Sequence, residues 1–244
     1  MDYGDIVQLG RHRLMCGDAT NRKDIEALLD GAKVDLVLTD PPYGIDVVNS
    51  GGFYKGHWGK RAIPFGHNPD DIVRPHPEIL GDKDTSAARK HYNIIKHFTN
   101  KHIIWGAQHF GDFLPQSNGW IVWDKKPTIK NYSACEMAYT SLINHNVMYE
   151  QRLSGFIREG SRKFNPSPRV HPTQKPVELH MHILQDFTKV HDVVLDCFGG
   201  SGTTLIACEL TGRACLMMEL SPDYCDIIKE RYKKLVAEQE EERK

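Results

Sequence analysis

Apolar and polar positions along this chain follow two periods, and the changes from one to the other mark out its elements. Leu14-Met15-Cys16 is a short apolar run ending at Gly17-Asp18, which predicts a strand. Residues 21–29 carry helical spacing with Gly31 as the stop, and Val34–Thr39 is an apolar, β-branched run that reads as a buried strand. The chain therefore opens strand, helix, strand, an order that favours a parallel sheet. Further strands are expected at Ile103–Trp105, Trp120–Trp123, Val193–Leu195 and Ala214–Met218, and Cys135–Ser141 alternates enough for an antiparallel or edge strand. Helices are expected at Thr85–Thr99, Val177–Phe187, Gly202–Leu210 and Tyr224–Val236, the last fading into the charged tail Glu238–Lys244 as a solvated helix end. Seven strands alternating with helices make an α/β fold.

Two stretches break the rhythm. Over residues 44–84 Gly, Pro, Asn and His are frequent, and Phe53, Tyr54, Lys55, His57, Trp58, Lys60 and Arg61 set aromatic beside basic side chains. Such interleaving suits backbone contact and base stacking on nucleic acid, and a flexible surface insertion accounts for it equally well. Over 142–170 Arg152, Arg158, Arg162, Lys163 and Arg169 outnumber Glu150 and Glu159, so this is a second segment that can face DNA, or an ordinary solvated surface.

Composition narrows the class without naming it. At 244 residues, 40% hydrophobic and 26% charged, the chain reads as one globular domain, 1–244, with 44–84 and 142–170 as insertions. There is no apolar run of membrane-spanning length and no basic-then-apolar leader pattern, so a cytoplasmic location is expected. A net charge of −1 means that any nucleic-acid contact rests on local basic patches. The six cysteines form no C-x-x-C pair and mostly sit in apolar runs; they read as reduced, buried thiols and argue against a metal site.

Candidate chemistry gathers at two turns. Asp40-Pro41-Pro42-Tyr43 follows the Val34–Thr39 strand, where two prolines remove two backbone donors and stiffen the chain. A carboxylate, a rigid carbonyl and an aromatic ring at the carboxyl end of a strand can grip a planar base that carries an amino group. An Asp cap on a Pro-rich turn is the plain alternative. The second turn, Asp196-Cys197-Phe198-Gly199-Gly200-Ser201-Gly202-Thr203-Thr204, lies between a strand and a helix, where glycines let the backbone approach a nucleotide. It matches neither G-x-G-x-x-G nor a phosphate-cradling G-x-x-x-x-G-K-[ST]. Glu219 ends the next strand, placed to accept ribose hydroxyls or, alternatively, to favour a helix N-terminus. A nucleoside without phosphates suggests S-adenosylmethionine. In His171-Pro172-Thr173-Gln174-Lys175-Pro176, Lys175 and Thr173 can meet a ligand carboxylate, and a helix cap with prolines remains the other reading.

Taken together and in this order, the D-P-P-Y, H-P-T-Q-K-P and D-x-F-x-G-S-G-T stretches resemble the permuted beta group of amino-methylating DNA methyltransferases, a likeness that spans nearly the whole chain. The resemblance implies a seven-stranded, mostly parallel, Rossmann-like sheet with one reversed strand near an edge and helices on both faces. It implies that Asp40, Pro41, Pro42 and Tyr43 are catalytic, with Asp40 also at the cofactor. S-adenosylmethionine would be held by Asp18 at the adenine, by Thr173 and Lys175, by Asp196, Phe198, Gly199, Gly200, Ser201, Gly202 and Thr203, and by Glu219. Residues 142–170, perhaps with 44–84, would read double-stranded DNA, with Lys55, Lys60, Arg61, Arg158, Arg162, Lys163 and Arg169 as the contacts. A homodimer and a cognate restriction endonuclease are the further partners implied.

In this family an Asp at the first motif position goes more often with adenine, so transfer to the 6-amino group of a flipped adenine is the reading taken. The 4-amino group of cytosine is the alternative, followed by amino methylation of RNA or protein. Methylation at carbon 5 of cytosine needs a nucleophilic Cys, typically after Pro, and no cysteine here follows a proline. A catalytically silent DNA-binding relative is countered by the intact Asp40 and Gly-rich turn.

Overall fold

The structure, a computed structural model, describes residues 1–45, 81–127, 133–154, 157–158 and 174–242. Thr173, Lys55, Lys60, Arg61, Arg162, Lys163 and Arg169, with most of the 44–84 insertion, lie outside them.

Nine strands form the main sheet: β1 (Ile6–Leu9), β2 (His12–Cys16), β3 (Leu36–Thr39), β4 (His102–Trp105), β5 (Trp120–Asp124), β6 (Cys135–Thr140), β7 (Val147–Glu150), β10 (Val193–Asp196) and β11 (Ala214–Glu219). A separate two-stranded hairpin pairs β8 (Leu153–Ser154) with β9 (Ile157–Arg158). In space the sheet runs β1-β2-β11-β10-β3-β4-β6-β5-β7. From β2 through β4 every pairing is parallel. β6 runs against both of its neighbours, and β7 lies parallel to β5.

The expected seven strands are all present, and β6 is the reversed one, lying inside the sheet with β4 and β5 on either side. Two further strands join at the rims. β1 and β7 are edge strands that stay half exposed although Ile6-Val7 and Val147-Met148-Tyr149 are short apolar runs. Their pairing partners, β2 and β5, supply what local pattern does not. The stretch from 142, expected to be irregular, thus contains β7 and the hairpin.

Helices cover both faces. α1 (Arg22–Leu29) and α2 (Ser86–Ile95) pack Ile25, Leu28, Leu29, Ala88, Tyr92 and Ile95 against Met15, Val37, Ile104 and Met218. On the opposite face α3 (Val177–Phe187), α4 (Thr203–Thr211) and α5 (Pro222–Glu242) bury Val177, Ile183, Leu205 and Ile228 against Leu14, Leu36, Leu38 and Trp105. The sheet residues alternate between the two lists, as the pleat requires.

Helix ends differ from expectation in detail. Asn21 caps α1 by accepting the Lys23 N–H at 3.1 Å, and the left-handed turn at its end begins at Asp30 (φ 48°) before Gly31 (φ 77°). α2 stops at Ile95, because residues 96–98 tighten into a turn in which Phe98 N–H reaches Ile95 O at 2.9 Å. α5 runs on through the acidic tail to Glu242, with ion pairs such as Lys229–Asp226 at 2.7 Å along its length. Among the described residues no helix is long and apolar enough to cross a membrane.

The topology decides where a ligand can sit. From β3 the chain moves to β4 on one side, and from β10 it moves to β11 on the other. The crevice at the carboxyl ends of β3 and β10 is therefore the switch point of the sheet.

Candidate active site

Asp40 emerges from β3 directly into that crevice. Its position is set by a strand buried at all four residues and by the stiff Pro41-Pro42 pair that follows. The Tyr43 hydroxyl turns back and donates to Asp40 Oδ1 at 2.5 Å. The Tyr43 ring stacks on His109, centroids 5.3 Å apart and 17° between planes, and meets Phe110 edge-on. Gly106, at φ 73° just after β4, makes room for it: a Cβ there would lie 2.1 Å from Tyr43 Cε1. Tyr43 is thus held as an anchor for Asp40 as well as an aromatic surface.

The other oxygen, Oδ2, belongs to Lys175. Its ammonium pairs with Asp40 Oδ2, lies 3.2 Å from the Tyr43 hydroxyl and 3.3 Å from Glu136 Oε2. It also sits 5.2 Å above the Trp105 ring. Glu136, on β6, pairs through Oε1 with Lys125, which follows β5. The result is a chain of alternating charge, Lys125, Glu136, Lys175 and Asp40, closed by the Tyr43 hydroxyl. Burial works against the charges of Glu136, Lys175 and Asp40. For Glu136 the two lysines prevail and hold its carboxyl at about 2, while for Lys175 the two carboxylates outweigh burial and raise the ammonium above its usual value. For Asp40 burial prevails and the carboxyl stays raised, despite Lys175.

The Gly-rich turn faces the same crevice from β10. Asp196 turns inward: Oδ1 accepts Thr39 Oγ1 at 2.9 Å and the Phe198 N–H at 3.1 Å, and Oδ2 accepts Thr204 Oγ1 at 2.6 Å. It ties β3, β10 and α4 together beneath the turn. Burial nonetheless raises its carboxyl to about 7, far above the ordinary 3.8. The native fold therefore holds a proton that the unfolded chain releases, so this contribution is full below about pH 4 and is lost as pH rises through 7. That difference corresponds to about 4 kcal/mol at most. An Asp196→Asn variant is expected to melt below the parent at pH 5, with the deficit shrinking or reversing at pH 8, as calorimetry at the two pH values reads directly.

The turn itself needs its glycines. Gly200 and Gly202 have φ of 52° and 81°, and a Cβ on Gly199 would come within 2.9 Å of Met217 Cγ. Ser201 Oγ lies 3.2 Å from Thr203 Oγ1, which donates to the Lys175 carbonyl at 3.2 Å and so ties the Lys175 segment to the turn. Glu219, ending β11, accepts the Gly200 N–H at 2.7 Å and the Ser221 N–H at 2.9 Å, one per oxygen. A carboxylate oxygen has room for a second donor, so Glu219 retains the capacity to accept a pair of hydroxyls. Beside it the Gly17 N–H donates to the Glu219 carbonyl at 3.0 Å, and Asp18 Oδ1 accepts the Thr20 N–H at 2.8 Å. The Phe198 ring meets His91 edge-on at 4.9 Å, and His91 Nδ1 is bonded to the Ala19 carbonyl at 3.0 Å. Burial lowers the His91 imidazole to about 4, so it is neutral, and its Nε2 has no hydrogen bond among the described residues.

Asp18, Asp40, Asp196 and Glu219 thus follow or end β2, β3, β10 and β11, four adjacent parallel strands, and share one end of the sheet. Lys175 and Thr203 join them through α3 and α4. Of the expected DNA contacts, Arg158 has its backbone in β9. Glu136, Lys125, His109 and Gly106 were not singled out by the sequence. A lone acid in the apolar β6 was the one signal, and it shows only when β6 is laid beside β4 and β5.

A family model for DNA methylases matches residues 34–230. The chain belongs to the DNA methylase family. Methyl transfer from S-adenosylmethionine to an amino group of a DNA base is that family's chemistry. The chain is 28% identical over 233 residues to the type II methyltransferase M2.MboI of Moraxella bovis, covering 82% of this chain and 80% of that one. Its fold is shared with the M1.HpyAVI–SAM complex, at 21% identity and a TM-score of 0.51 over 89% of this chain and 98% of the other. The cytosine-N4-specific PvuII DNA methyltransferase superposes with a TM-score of 0.51 at 12% identity, over 97% of both chains.

Proposed function

We propose that this methylase moves a methyl group to the 6-amino group of a flipped adenine in double-stranded DNA. The observation that carries the reading is the divided carboxylate of Asp40, with Oδ1 fixed by Tyr43 and Oδ2 turned toward a cationic N–H donor at the switch point. An oxygen so placed accepts a hydrogen bond from an amino group. The rigid Pro41 carbonyl beside it takes the second.

The amino nitrogen of adenine is a poor nucleophile because its lone pair is conjugated into the ring. Two acceptors on its two N–H groups favour a tetrahedral nitrogen and stabilise the positive charge that develops there. Holding that nitrogen in line with the methyl group supplies much of the remaining acceleration. S-adenosylmethionine, when bound, contributes an electrophilic methyl on a sulfonium that leaves as a neutral thioether. Glu219 would hold its ribose, Asp18 and Phe198 its adenine, and Gly199, Gly200, Ser201, Gly202 and Thr203 would let the backbone come close to it. Lys175, with Thr173, offers the partner for the carboxylate. Asp40 as first motif residue supports adenine over cytosine. In this reading the enzyme works in the cytoplasm, with a second copy of the chain and a restriction endonuclease as the partners the family resemblance implies.

Methyl-labelled S-adenosylmethionine, incubated with the enzyme and unmethylated duplex DNA, RNA or protein, tests this directly. Label is expected in N6-methyladenine after digestion of the DNA to nucleosides, and sequencing then maps the recognition site. Label in N4-methylcytosine moves the assignment to cytosine, and label in RNA or protein alone overturns the DNA reading.

A further inference from the structure

Glu136, on β6, is linked to the Asp40 turn through Lys175. The Lys175 ammonium is shared. It pairs with Asp40 Oδ2 on one side and lies 3.3 Å from Glu136 Oε2 on the other. Glu136 is itself shared, since Lys125 holds its Oε1. Tyr43 fixes Asp40 Oδ1 and Lys175 stands at Oδ2, so a target amino group that approaches Oδ2 shares that oxygen with the ammonium.

We propose that Glu136 is a positioning residue for methyl transfer: it shares the Lys175 ammonium with Asp40, so that Oδ2 is not wholly claimed by that cation and can accept the amino group of the base, while Lys125 tempers the pull of Glu136. The inference rests on the reading of Asp40 given above. Its geometry is that of a balance. Two carboxylates of different β-strands, β3 and β6, compete for one buried cation, and Lys125 sets how hard Glu136 pulls. Glu136 stays ionised because its own carboxyl is held at about 2. The groups facing Asp40 are thus Tyr43 from its own turn, Lys175 from the segment before α3, Glu136 from β6 and, at the end of the neighbouring strand β10, Asp196, whose own carboxyl is pushed up in part by Asp40.

The balance has opposite signs for two variants, which makes it testable. In Glu136→Gln, Asp40 loses an anionic neighbour and has Lys175 undivided, so its carboxyl should titrate at lower pH. In Lys125→Gln, Glu136 leans wholly on Lys175, and Asp40 should titrate at higher pH. The midpoint can be read without turnover, by carbon NMR of the aspartate carboxyls in carbon-13-labelled whole protein, with Asp40→Asn assigning the resonance. The acid limb of the methyl-transfer rate on unmethylated duplex DNA should move with that midpoint, whereas a merely structural loss lowers the rate at every pH alike. Movement in the stated direction in either variant, with none against it in the other, supports the proposal. A midpoint that stays in place in both, or moves against the stated direction in either, overturns it. Should one variant fail to fold, the other still decides. If the carboxyl moves as stated but no DNA is methylated, the balance stands and the functional reading falls.

Discussion

An Asp40→Ala enzyme is expected to bind S-adenosylhomocysteine, the demethylated cofactor, within a few-fold of the parent and yet to methylate DNA about 10²–10³ times more slowly, the scale of losing one preorganised transition-state partner. The substitution removes the acceptor for the amino group and leaves its developing charge to the Pro41 carbonyl alone. It does not strand a buried charge, since Lys175 keeps Glu136 at 3.3 Å. The fold should therefore survive, and a melting curve near the parent's would separate lost chemistry from lost structure. Single-turnover transfer from labelled cofactor, beside calorimetric titration with S-adenosylhomocysteine, measures both halves. If Asp40→Ala transfers methyl groups at the parental rate, Asp40 has no catalytic part.

Lys175→Met carries the second large effect, and here stability takes most of it. The ammonium is 4% exposed and serves two carboxylates. Methionine keeps the length and the backbone, so the Thr203 hydroxyl retains its bond to the residue 175 carbonyl. What disappears is the cation between Asp40 and Glu136. Lys125 still neutralises Glu136, which leaves Asp40 as the uncompensated partner. Breaking a buried pair from one side costs about 3–5 kcal/mol. The pH dependence has a definite sign. Burial already raises the Asp40 carboxyl, and without Lys175 it rises further, so the variant's native state favours a protonated Asp40. Its deficit should be largest at alkaline pH and shrink as pH falls through the raised Asp40 value. Urea unfolding of both proteins at pH 5 and pH 8.5 reads this. A deficit that is equal at both pH values, or larger at pH 5, rules out Asp40 as the group left unpaired. Affinity for S-adenosylmethionine should drop as well, and less so for the thioether nucleoside that lacks the amino acid carboxylate.

Much of the site was legible because its residues sit where one-dimensional signals are strongest. Asp40 and Asp196 each close a buried apolar run, and the residues after them, two prolines in one case and a Gly-rich string in the other, end a strand in ways that few sequences do by accident. The helix expected at about Val177–Phe187 is α3, since its apolar spacing and the preceding proline agree. β1 and β7 escaped notice because an edge strand is stabilised by one neighbour and buries one face at most. α5 continues past its apolar spacing as the solvated helix end expected of the charged tail, with Lys234 and Glu238 one turn apart at 4.0 Å.

The role of Glu136 belongs to a different order of information. Apart from being a lone acid in an apolar strand, nothing in the chain marks Glu136, and its partners come from the residue after β5 and from the segment before α3. A buried charge is stable only beside its counter-charge, and which charges become neighbours is decided by strand order. By itself the sequence determined that this is an α/β chain with a D-P-P-Y turn and a Gly-rich turn at strand ends, because hydrophobic period, proline and glycine act locally. Only the tertiary structure decided that Asp40 keeps one oxygen for Tyr43 and offers the other to a cation shared with Glu136. That division depends on β3, β6 and the segment ahead of α3 meeting within hydrogen-bond distance, a matter of ångströms that no spacing along the chain encodes.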